Sequence, residues 1–134
     1  MEGMLLETKA PAGNSAGKAA ALALGELLRE HKGIDVVVLD LREMNAWTDF
    51  FVIATALSDT HLQGLERHIK EFCGERGLEI LRRSRKPDSG DDEWRLIDLG
   101  TTIIHLMSER VRSFYELEQL YSPAAPLTHS SKSS

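Results

Sequence analysis

Cysteine is nearly missing from this sequence: Cys73 stands alone, so no disulfide can form within the chain, and a reducing cytoplasm is the expected setting. No apolar run approaches the roughly 20 residues that a membrane-spanning helix needs. The opening Met1-Glu2-Gly3-Met4-Leu5-Leu6-Glu7 has neither the basic-then-apolar pattern of a secretory leader nor the Arg-rich, acid-poor pattern of a transit peptide. A concentrated basic face is also lacking. Sixteen Lys and Arg stand against 21 Asp and Glu, for a net charge of −5. The one basic cluster, Arg82-Arg83-Ser84-Arg85-Lys86, is answered at once by Asp88, Asp91, Asp92 and Glu93. Direct binding to phosphates needs Lys and Arg gathered on one face, so sequence-specific nucleic-acid binding is not expected. An acidic surface instead suits a basic partner.

The signatures of common enzymes are missing too. The chain has no Gly-rich phosphate loop, H-E-x-x-H, C-x-x-C or G-x-S-x-G. His61 and His68 lie seven apart, about two helical turns, too far to chelate one metal unaided, and read as solvated helix residues. Cys73 reads as a buried, inert thiol. Asp40 and Asp49 fall at strand edges. Neither belongs to the paired carboxylates beside a Gly-Ser turn that two-metal nucleotidyl transfer needs. No residue is assigned to catalysis, to a metal or to a cofactor.

What is present is one domain's worth of chain. Of its 134 residues, 42% are hydrophobic and 28% charged, ordinary proportions for a globular fold. Residues 1–13 and the Pro/Ser-rich residues 122–134 read as flexible tails around a single domain at 14–121. Ala20, Leu24, Leu27 and Leu28 recur at helical spacing between Ser15 and His31, with Gly33 as C-cap. Val36 to Leu41 and Phe50 to Ala56 are continuous apolar runs, hence strands covered on both sides. A second helix starts near Ser58, with Thr60 and Gln63 as a capping box, and carries Leu62, Leu65, Ile69 and Phe72. Leu78 to Leu81 reads as a third strand, followed by a loop from Ser84 to Asp92. Trp94 to Leu99 and Thr102 to Met107 are strands joined at Gly100. Ser108 then caps a last helix bearing Val111, Phe114, Leu117 and Tyr121. The expected order is α-β-β-α-β-β-β-α, an α/β fold with a mixed five-stranded sheet packed with helices.

The last hairpin carries the most information. A two-residue Gly100-Thr101 turn pairs Ile97 with Ile104 and Arg95 with Leu106. On the opposite face it pairs Asp98 with Ile103, Leu96 with His105 and Trp94 with Met107. The first face is apolar throughout. The second mixes Trp94, Leu96, Ile103 and Met107 with a carboxylate and an imidazole. Two readings of it stand: a helix covers it, with the polar groups at the rim, or it is a partner surface of the kind that favours Trp and Met. A longer loop would exchange the two faces.

Three stretches taken together resemble the ribosomal silencing factor (Iojap-related) family. They are Val38-Leu39-Asp40-Leu41 with Thr48-Asp49-Phe50-Phe51-Val52-Ile53-Ala54 and Ser58-Asp59, Trp94-Arg95-Leu96-Ile97-Asp98-Leu99-Gly100 running into Ile103-Ile104-His105, and Phe114 to Tyr121. The likeness runs from about Ala19 to Tyr121. It implies a nucleotidyltransferase-like fold without catalytic groups. It further implies a protein that binds large-subunit ribosomal protein fourteen and keeps the small subunit from joining when nutrients are short. Carried onto this sequence, the resemblance puts Trp94, Leu96, Asp98, Leu99, Met107 and Glu109 at or near the contact. Trp94 is then the anchor, and Asp98 and Glu109 face basic partner residues. Trp94→Ala is accordingly expected to weaken docking while leaving the fold intact. An exposed apolar sheet face also suits a homodimer in the free protein. The sequence departs from the family in its long charged stretch from Arg83 to Glu93 and in Tyr121, where many members have Trp.

Overall fold

The computed structural model describes residues 3–44, 48–85, 93–115 and 125–128, with side chains described over 17–44, 48–83 and 93–113. Three helices, α1 (Gly3–Glu30), α2 (Asp59–Arg76) and α3 (Glu109–Tyr115), accompany one sheet. Its strands are β1 (Ile34–Asp40), β2 (Phe50–Ala56), β3 (Arg82–Arg85), β4 (Trp94–Asp98), β5 (Thr102–Ser108) and β6 (Ala125–Thr128), in the spatial order β3-β4-β5-β2-β1-β6. Strands β2 and β5 run parallel, and every other pair is antiparallel. The expected mixed α/β sheet and the order of its first five strands are therefore present.

Central strands are apolar because both their faces are covered. All seven residues of β2 are buried. On one face Ala21, Leu24 and Leu28 of α1 and Leu62, Leu65, Ile69 and Cys73 of α2 pack on Val38, Val52, Ile97, Ile104 and Leu106. The other face carries a second core of Leu39, Phe51, Ile53, Trp94, Ile103 and Met107, with Val111 of α3 laid across it. Each large side chain so enclosed contributes on the order of 1.5–3 kcal/mol. Helix α1 approaches the sheet closely at Gly25, where a Cβ would stand 2.8 Å from Val38 Cγ2.

Boundaries differ from expectation in three places. The strand expected at Leu78–Leu81 lies instead at Arg82–Arg85. Leu78 donates its N–H to Cys73 O and finishes the end of α2, while Leu78 and Ile80 pack against the core as a connection. An edge strand needs backbone partners rather than apolar side chains, so a run of arginines can occupy it. Helix α2 is capped by Ser58, whose Oγ accepts from His61 N at 3.0 Å, rather than by Thr60. At the end of α1, Lys32 takes the left-handed conformation (φ 73°), and Gly33 N donates to Leu28 O at 2.7 Å.

The chain ends differ as well. Helix α1 begins at Gly3, because Met4 to Ala10 are mostly good helix formers and a nucleated helix extends one hydrogen bond at a time. Ala125–Thr128 pairs with β1 as a sixth strand, satisfying an edge that would otherwise leave backbone groups unpaired. Pro126 is tolerated there because an edge strand has one side free of ladder bonds. Leu117, Tyr121 and the charged stretch from Lys86 to Asp92 lie outside the described residues.

Candidate functional site

The β4–β5 hairpin forms in the expected register: Trp94 opposite Met107, Leu96 opposite His105, Asp98 opposite Ile103. Its turn closes with Leu99 N donating to Thr102 O at 2.9 Å, and Gly100 takes a φ of 93° that side chains avoid. Trp94, Leu96, Asp98 and Met107 thus share one face of the sheet, and Leu99 belongs to the other, packed against the core beneath α1 and α2. Glu109 lies past the end of β5 as the first residue of α3, exposed to solvent. Four of the six expected contact residues are brought together, and two are not.

The Trp94 face is covered. Trp94 is only 5% exposed and Met107 fully buried. The indole N–H of Trp94 donates to His105 Nδ1 at 3.1 Å, and the His105 ring meets Phe51 edge-on at 4.6 Å. With Nδ1 accepting, His105 is a neutral imidazole carrying its proton on Nε2. Val111 closes the layer from above. The expectation of Trp94 as a protruding anchor is therefore corrected: an amphipathic ring with an internal hydrogen-bond partner gains more by burial than by exposure. Leu96 is half-buried at the margin of this layer.

Asp98 is also engaged within the chain. Its Oδ2 accepts from Arg82 Nη2 at 2.8 Å and Nε at 3.2 Å, and its Oδ1 accepts from Gly100 N at 2.8 Å. The carboxylate locks the turn and ties β3 to β4. It does not engage His105, so no acid–base pair forms there.

The other residues singled out by sequence also find structural roles. Asp40 accepts from Arg42 Nε and Nη2 at 2.9 and 2.7 Å, and this pairing holds its carboxyl below the ordinary value. Burial pushes the Cys73 thiol up, away from its reactive form. The helix histidines are not simply solvated. His61 accepts from Leu57 N at Nδ1 (2.9 Å) and reaches His31 O with Nε2 (3.0 Å), while His68 stacks on His31 with ring centroids 3.5 Å apart. Together they fasten the start of α2 to the end of α1. Among the described residues no group of three His, Cys, Asp or Glu could hold a metal ion, and no helix is long and apolar enough to cross a membrane.

Sequence reasoning missed a second feature at the same end of the hairpin. A crevice of about 420 Å³ is lined by Ala56, Leu57, Ser58, Asp59, Leu62, Glu93 and Ser108. Glu93 Oε1 accepts from Ser108 Oγ at 2.7 Å, and Arg110 clasps the same carboxylate at 2.8 and 3.1 Å. Ser108 Oγ in turn caps α3 by accepting from Val111 N at 3.2 Å. Ser108 was a visible capping signal, and Ser58 marked the start of α2 without being read as its cap. That two caps fall side by side was not visible, because β2 and β5 are neighbours only in space.

Residues 14–134 match the family model described as ribosomal silencing factor during starvation. The chain belongs to the ribosomal silencing factor family. Among its relatives, the ribosomal silencing factor RsfS of Treponema pallidum is 35% identical over 102 residues, covering 76% of this chain and 89% of that one. The chloroplastic protein Iojap of maize is 30% identical over 107 residues, 80% of this chain but 45% of that protein, which is thus more than twice as long as the shared part. A crystal structure of a Chromobacterium violaceum protein superposes with a TM-score of 0.68 at 28% identity, covering 78% of this chain and 85% of that one. The family is one of starvation-linked silencing factors by its description, not of enzymes.

Proposed function

We propose that this chain docks on the large ribosomal subunit through large-subunit ribosomal protein fourteen and sterically blocks subunit association, repressing translation under nutrient limitation. The observation that carries this reading is the family match over residues 14–134, whose description names silencing during starvation. The net charge of −5 agrees with a basic partner. A steric block requires no turnover, metal or cofactor. The bacterial relative favours the cytoplasm as the place of action.

The proposed contact lies on and around the β4–β5 hairpin. Leu96 and Glu109 are reachable from solvent there, and Leu99 borders the turn on the opposite face. Trp94 and Met107 lie beneath as a rigid support. Asp98 is already shared by Arg82 and Gly100, so Glu109 is the carboxylate that meets basic partner residues. A homodimer in the free protein would come apart on docking if it uses the same surface.

Sedimentation through a sucrose gradient with separated subunits tests the reading. Co-migration with the large subunit alone, together with fewer joined ribosomes, is the expected result. Migration with the small subunit alone, or joining unaffected at saturating protein, sinks it.

A further inference from the structure

Strands β2 and β5 are parallel neighbours, yet the helices that follow them leave toward opposite faces. Helix α2 packs with the first core and α3, through Val111, with the second. A parallel pair whose connections diverge opens a crevice beyond its carboxyl ends, the place where α/β sheets take ligands. The crevice of about 420 Å³ described above lies there. That volume falls toward the low end of binding pockets, of about 300–1,000 Å³. It suits one extended side chain and its flanks better than a large rigid body.

Its lining specifies the occupant. Ala56 and Leu62 form an apolar floor, and Leu57, 71% exposed, projects an apolar wall into solvent. Asp59 and Glu93 supply two carboxylates. Glu93 is shared with Ser108 and Arg110, whereas Asp59 is exposed and accepts from Gln63 at 3.3 Å, which leaves acceptor capacity on its oxygens. An anion drawn to the start of α2 would meet both carboxylates, and Asp59 already complements that helix dipole. A cation with an aliphatic stem faces that positive helix end and Arg110, but Asp59 already offsets the dipole and Glu93 already holds Arg110, so the remaining acceptor capacity of Asp59 is available to it. Lysine and arginine side chains have that form: an apolar stem that lies along leucine and a charged head that reaches a carboxylate.

We infer that this crevice is a docking socket for a lysine or arginine side chain of a partner protein, its stem on Leu57 and Leu62 and its head at Asp59. A protein is the occupant because Leu57 extends the apolar wall beyond the crevice, where only neighbouring residues of the same segment would cover it. The inference does not depend on which protein presents the segment.

Titration of the 15N-labelled chain with acetyl-Leu-Lys-Leu-amide, acetyl-Leu-Glu-Leu-amide and agmatine tests it. The lysine peptide is expected to shift the amides of Leu57, Asp59 and Ser108, and the glutamate peptide to leave them in place. Asp59→Asn and Leu57→Ser, both at exposed positions, should each weaken binding about fivefold with an unchanged circular dichroism spectrum. Absence of shifts, equal shifts from the glutamate peptide, or undiminished binding by both variants overturns the socket. Agmatine binding as tightly as the lysine peptide overturns the protein occupant, because a free amine would then suffice. No ribosome enters this measurement, so its outcome stands apart from that of the subunit-joining experiment.

Discussion

Trp94 has one polar atom, and the fold spends it internally, on His105 Nδ1. Truncating a ring that is 5% exposed leaves a cavity between β4, β5 and α3. Trp94→Ala should therefore lower unfolding free energy by about 3–5 kcal/mol, seen as an early urea midpoint. A variant as stable as the parent would restore Trp94 to the surface. Asp40 supplies a prediction of a different kind. Hydrogen bonds from Arg42 lower its carboxyl below the ordinary 3.8. Such a group adds stability that is complete above that ordinary value and is lost as pH falls through the lowered folded value. The stability gap between the parent chain and Asp40→Asn should thus narrow on acidification below pH 3.8. A gap that is constant from about pH 7 down to about pH 2 would show that the pair contributes nothing.

At the scale of elements, two contacts decide how the helices seat on the sheet. Glu66 of α2 accepts from Arg95 of β4, with side chains 14% and 10% exposed, and also from Arg83 of β3 at 3.4 Å. Glu66→Ala removes a carboxylate partner from Arg95 in a nearly dry position. The expected cost is about 2 kcal/mol, below the 3–5 of a fully enclosed pair because some solvent reaches both partners. Thermal melting of the single variant, against Glu66→Gln as a milder one, measures it. Gly25 tests the approach of α1. Helix propensity alone makes Gly25→Ala stabilising by about 1 kcal/mol. The new Cβ would lie 2.8 Å from the stiff Val38 side chain, so the net change should be a loss of about 1 kcal/mol. A gain in melting temperature would mean that α1 can move outward without penalty.

For the whole molecule, the burial of Trp94 changes how docking must be probed. A variant that unfolds cannot report on binding. Glu109→Lys changes an exposed charge at the start of α3 and leaves both cores untouched. It should weaken association with the large subunit about fivefold in sedimentation while leaving the urea midpoint nearly unchanged. Undiminished association would move the contact away from this end of the hairpin. The acidic net charge predicts further that the proposed association falls as salt is raised, since attraction to a basic partner would be screened beyond about 8–10 Å.

Hydropathy alone determined much of this protein. The continuous apolar runs of β1 and β2 required a covered sheet, and the helical spacing of Leu62, Leu65 and Ile69 is enough by itself to orient α2. Gly100 set the hairpin register, because one turn length fixes which residues face each other. The pattern misplaced β3 and was silent on β6, since edge strands are selected by backbone pairing, and arginines or a proline serve as well as valines there. It was also silent on which face of the hairpin was covered. Alternation sorts residues into two sides, but only the seating of Val111, from the helix that follows β5, decides that Trp94 is interior. Likewise Asp98 looked like a partner carboxylate until Arg82 of an adjacent strand was found to occupy it. The crevice between Ser58 and Ser108 joins residues 50 positions apart through the parallel pairing of β2 with β5, a proximity that local patterns do not encode. So the hairpin's strands and register were written in its own residues. Whether its aromatic face meets solvent or core was settled by what the rest of the chain laid over it.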